Sequence, residues 1–112
     1  MDYRPYHTII ITSWDEIRVR AIHRLAKRYF PRVTAVAVSE FNHIYTFMIP
    51  TDGAKKGSER GAEAEKKRDA FWQLLDKRDC NGYQPVSAVE ISFGKRASAV
   101  KVIRQLPRAR DQ

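Results

Sequence analysis

A run of β-branched residues, HTIIIT at His7–Thr12, passes at Ser13 into a stretch whose apolar residues recur at helical spacing. This switch of period from two to 3.6 most constrains the fold, because a strand feeding directly into an amphipathic helix buries one side of each against the other. The helix is predicted over roughly residues 14–30. Val19, Ala21, Ile22, Leu25, Ala26, Tyr29 and Phe30 fill one broad arc of it. Ser13-Trp14-Asp15-Glu16 fits a capping box, in which the Ser13 hydroxyl accepts a free backbone N–H and Glu16 reaches back. Acids open the helix and bases close it, which complements its dipole, and Pro31 stops it.

Val33–Val38 and Ile44–Ile49 are two further strand-like runs, joined across Ser39–His43 by a predicted hairpin containing Asn42. Pro50-Thr51-Asp52-Gly53 signals a turn, and residues 54–62 are small, polar and glycine-bearing. A second helix is predicted from near Ser58 to Lys77, with Ala64, Phe71, Trp72, Leu74 and Leu75 as its apolar set and a charged first half. Val86–Phe93 alternates like a half-buried strand after the Asn81-Gly82 turn. The order β-α-β-β-α-β predicts an α+β, ferredoxin-like sandwich: a four-stranded antiparallel sheet with two helices on one face. Val100, Val102 and Ile103 favour an additional basic C-terminal strand after a 94–98 turn, with a short helix as the alternative. Residues 1–106 are expected to form one domain and 107–112 a basic tail.

Alternation assigns the two sides of the sheet. With Ile9, Ile11, Val36, Val38, Val89, Ile91 and Phe93 towards the helices, Tyr45, Phe47 and Ile49 join them. The open side then carries Thr8, Ile10, Thr12, Ala35, Ala37, Thr46, Met48, Ala88, Glu90 and Ser92, a small, mildly apolar surface whose Ile10, Ala37, Thr46, Met48, Ala88 and Glu90 are suited to a homodimer face or to coverage by residues 95–106. It lacks aromatics, so it is a poor platform for the base stacking that RNA-recognition modules of this fold perform. Leu25, Ile22 and Ile91 are expected in the core.

The charge is uneven. Residues 17–32 carry net +6 without an acid, residues 94–112 carry +5, and the chain as a whole +8, leaving the remainder near −3. Segregated cations of this kind point to an anionic partner. Arg20, Arg24 and Arg28 are spaced i, i+4, i+8, with Lys27 beside them and His23 at the border. A solvated helix back would more often interleave acids. With Lys95, Arg96, Lys101 and Arg104 they form the candidate nucleic-acid-binding set, arginine being suited to phosphate by its planar fork.

Other chemistry has little support. The single cysteine, Cys80, excludes an internal disulfide and a cysteine-based zinc site. His7, His23 and His43 lack metal-ligand spacing, and Thr51–Gly57 lacks the P-loop pattern, so no cofactor or metal is expected. No apolar run matches a signal segment or a membrane span, which leads to the expectation of a cytoplasmic protein without a membrane partner. Trp14 has no assigned role: it packs against Trp72 or is exposed as a contact.

The sequence therefore favours a small basic, non-enzymatic module that binds an anionic partner, chiefly nucleic acid (DNA or RNA), through its phosphate backbone. The alternative is a dimeric protein-interaction or regulatory module acting on an acidic protein, of a size that suits an accessory protein of a phage or mobile element. A third class is a metal-dependent nuclease using Asp15.

Overall fold

The computed structural model describes residues 6–51, 59–77, 86–93 and 100–107. The elements run β1 (Tyr6–Ser13), α1 (Glu16–Tyr29), β2 (Ala37–Val38), β3 (Tyr45–Ile49), α2 (Glu59–Lys77), β4 (Ser87–Phe93) and β5 (Val100–Leu106). They form an α+β fold whose sheet has five strands in the order β2-β3-β1-β4-β5 with every neighbouring pair antiparallel; it is not the four-stranded ferredoxin-like sheet, because the C-terminal segment is a strand, the favoured of its two expected forms, and joins the sheet. Val100–Leu106 is a strand hydrogen-bonded to the edge of β4, so these residues extend the sheet and do not cover its open side.

α1 begins two residues later than the capping-box expectation. Asp15, not Ser13, is the N-cap: its Oδ1 accepts the Arg18 N–H at 3.1 Å, while Ser13 Oγ accepts the Asp15 N–H at 3.0 Å. Glu16 does not reach back to the cap; it pairs with Arg20 at 2.9 Å and accepts the Tyr45 hydroxyl at 3.4 Å. Val33–Val36 is not regular strand. There Thr34 N–H donates to the Met48 carbonyl, and Thr34 Oγ1 accepts the Met48 N–H, so a side chain replaces one ladder partner. In the β2–β3 connection Asn42 and His43 both have positive φ, 69° and 48°, and Ser39 closes the loop by donating its N–H to the Ile44 carbonyl.

The core lies between the helices and one side of the sheet. Ile9 and Ile11 of β1, Phe47 and Ile49 of β3, Val19, Ile22 and Ala26 of α1, and Phe71, Trp72 and Leu75 of α2 are buried together. Ile22 is buried as expected, whereas Leu25 is only partly buried at the margin of the cluster.

The parity of β4 is opposite to the expectation. Ile9 stands opposite Glu90 and Ile11 opposite Ala88, so Ala88, Glu90 and Ser92 face the helices and are buried. Val89, Ile91 and Phe93 face the open side. Of the residues predicted for that side, Thr8, Ile10, Thr12, Ala37, Thr46 and Met48 share it through register, while Ala88, Glu90 and Ser92 do not. The alternation in β4 misleads because its inward carboxylate is matched by His7, Arg68 and Arg104 from three other elements.

Candidate functional site

α1 lays its apolar arc on the sheet and turns the opposite stripe to solvent. Ile17, Arg24 and Arg28 fall on that stripe at i, i+7 and i+11, with Arg20 and Lys27 beside it; Ala21, expected in the apolar arc, lies on this stripe too and is half-buried. Arg24, Lys27 and Arg28 are exposed and make no ion pair among the described residues. Arg20 differs: its Nε donates to Glu16 at 2.9 Å in an exposed i, i+4 pair. His23 lies against the fold, where its Nε2–H donates to the Thr34 carbonyl at 2.8 Å and its ring meets Phe47 edge-on.

Apolar side chains extend this surface at the start of α1. Ile17 is 84% exposed and Trp14 63% exposed, so Trp14 is a surface residue. Phe41, in the β2–β3 connection, is 73% exposed. Since Ser13 pairs with Tyr45, the end of β1 that leads to Trp14 and the start of β3 that follows the connection lie at the same end of the sheet. Sequence reasoning missed Ile17 and Phe41. The off-arc position of Ile17 was a usable signal, whereas exposure of Phe41 depends on a loop conformation.

The remaining predicted cations are dispersed. Arg104, on β5, is engaged inside the fold: Nε donates to Glu90 Oε1 at 2.6 Å, a terminal nitrogen donates to Asp69 at 2.9 Å, and the guanidinium lies 4.9 Å from the Trp72 ring centre. Glu90 is 2% exposed; its other oxygen accepts from His7 Nδ1 at 2.8 Å and faces Arg68 Nε at 3.6 Å. This cluster joins β1, β4, β5 and α2. Lys101 is exposed on β5, while Lys95 and Arg96 lie outside the described residues, as does Cys80.

Asp15 serves as the α1 cap through its contact with the Arg18 N–H. Among the described residues no group of three or more His, Cys, Asp or Glu side chains is gathered to hold a metal ion. No helix among them is long and apolar enough to cross a membrane. Comparison of the chain with protein-family models, curated proteins and solved structures finds no match.

Proposed function

We propose that this protein binds single-stranded nucleic acid, with the exposed stripe of α1 tracking the phosphate backbone and Trp14 offering a stacking surface at its start. The observation that carries this reading is the group of exposed cations Arg24, Lys27 and Arg28, which lack an ionic partner among the described residues and share one helix face. Three like charges on two turns repel one another, and a phosphate chain relieves that repulsion while releasing its own counterions. Ionic contact alone does not distinguish single strands from duplexes; Trp14 does, because only unpaired bases present a free π-face. Arg104 is left out of the binding set, since its guanidinium is committed to Glu90 and Asp69.

Fluorescence anisotropy with mixed-sequence single strands and duplexes tests this. Single strands should bind more tightly at about 50 mM salt, and Trp14→Ala should cost about 1–3 kcal/mol on the single strand with a smaller effect on the duplex. Equal affinity for both forms, unchanged by Trp14→Ala, contradicts the stacking role. Absence of binding to either form contradicts the whole reading.

A second reading, association of two copies through the open side of the sheet, is favoured by its composition. Ile10, Met48, Val89, Ile91, Phe93, Val100 and Val102 share that side, and none of its described strand positions is charged. Strands about 4.8 Å apart and up to eight residues long present roughly 500 Å² in projection, approaching the ~600 Å² each partner buries in a small stable interface. The cations of α1 lie on the other side of the sheet, so two copies of a +8 chain can meet there without bringing those like charges together.

A further inference from the structure

α2 changes character along its inward stripe. In its second half Phe71, Trp72 and Leu75 point into the core. One to three turns earlier the same side carries Ala64 and Arg68, flanked by Arg60 and Lys67. Arg68 is half-buried and faces Glu90 at 3.6 Å, whereas Arg60 and Lys67, at the margin of the stripe, are exposed and have no ionic partner among the described residues. In front of this half lies a cavity of about 670 Å³. Its charged lining is Arg32, Arg60, Lys67 and Arg68 against one acid, Glu63. His7 also lines it, with Nδ1 already held by Glu90, which leaves Nε2 as the ring nitrogen available to a ligand.

The rest of the lining is apolar apart from Thr51: Phe30 and Pro31 after α1, Pro50 and Ala64, over a floor formed by the buried Ile9 and Ile49. The volume lies within the ~300–1,000 Å³ range of small-molecule sites and is far larger than a phosphate ion needs. Its concave shape suits a compact ligand or a chain end better than a continuous backbone. A phosphomonoester also carries more charge than a diester, about −1.5 to −2. We infer that this cavity is a binding site for a phosphomonoester attached to a ring-bearing apolar body, as in a nucleoside monophosphate or the phosphorylated end of a nucleic-acid strand. Arg60, Lys67 and Arg32 hold the phosphate, and the apolar wall takes the base. The site is separate from the exposed stripe of α1 and does not depend on its role.

Calorimetric titration of the full chain with AMP, adenosine and inorganic phosphate tests the site, together with 5′-phosphorylated and 5′-hydroxyl oligonucleotides of one sequence. AMP should bind more tightly than adenosine or inorganic phosphate. Arg60→Gln with Lys67→Gln, both at exposed positions, should weaken AMP at least tenfold and leave thermal unfolding unchanged. Arg32→Gln provides an independent second variant with the same direction of effect. Arg24→Ala with Arg28→Ala should leave AMP binding intact, which separates this site from the helix stripe. A preference for the 5′-phosphorylated strand that disappears in the double variant identifies a strand end as the source; AMP binding without that preference identifies a free mononucleotide. The inference is overturned if AMP binds no better than adenosine and no 5′-phosphate preference exists. It is equally overturned if both survive the substitutions.

Discussion

Glu90 shows how one residue reorganises the interior. A carboxylate at 2% exposure is costly unless paired and hydrogen-bonded, and here it has His7 at 2.8 Å, Arg104 at 2.6 Å and Arg68 at 3.6 Å. Removing it leaves the Arg68 guanidinium without an ionic partner among the described residues and Arg104 with Asp69 alone. Glu90→Ala should therefore destabilise the fold by about 3–5 kcal/mol, measured by urea unfolding. Glu90→Ala combined with Arg104→Ala should cost clearly less than the sum of the two single changes, because the second removes a charge the first has stranded. Additive losses would mean that the cluster does not act as a unit. Nothing local in the sequence announces this arrangement: Val89, Ile91 and Phe93 alternate as a core strand does, and the side chains that hold Glu90 inward, His7, Arg104 and Arg68, come from β1, β5 and α2.

At the scale of elements, legibility follows how local the determinants are. α1 is readable because its apolar period, acidic start and following proline all lie within the helix or next to it. Its first residue is misplaced because Ser13 and Asp15 are both good caps, and Ser13 is drawn instead into β1, where it pairs with Tyr45. Asp15→Ala should destabilise the protein by about 0.5–2 kcal/mol, whereas Ser13→Ala should leave the helix cap itself in place. Thermal unfolding of the two variants, with helical circular dichroism as the probe, checks the order. β2 is shorter than its β-branched run predicts because Thr34 bonds to Met48 partly through its side chain. The charged first half of α2 weakens a helix assignment from sequence, yet it forms helix from Glu59 onward, and Arg60, Lys67 and Arg68 line the cavity.

For the whole molecule, the two sides of the sheet divide the possible functions. One side packs the helices, whose outer stripe on α1 carries the exposed cations; the other has no charged side chain at its described strand positions and is apolar at Ile10, Met48, Val89, Ile91, Phe93, Val100 and Val102. Correcting the parity of β4 makes that open side more apolar, since it replaces Ala88 and Glu90 with Val89 and Ile91. Association through it should be concentration-dependent in light scattering and abolished by Met48→Lys, which places a charge among Ile10 and its neighbours. A dimer indifferent to Met48→Lys would place the contact elsewhere. The candidate site was legible in part: the spacing of Arg24, Lys27 and Arg28 is visible in the sequence, whereas the engagement of Arg104 and the exposure of Trp14 are products of tertiary contacts.

Contact between the stripe on α1 and a phosphate backbone is read out by the salt dependence of single-strand binding. Each phosphate neutralised adds about 0.7 to the slope of log affinity against log salt for single strands. Replacement of Arg24, Lys27 and Arg28 by alanine should therefore reduce that slope by about 2, with helix content unchanged by circular dichroism. A slope identical in wild type and triple variant would contradict the account.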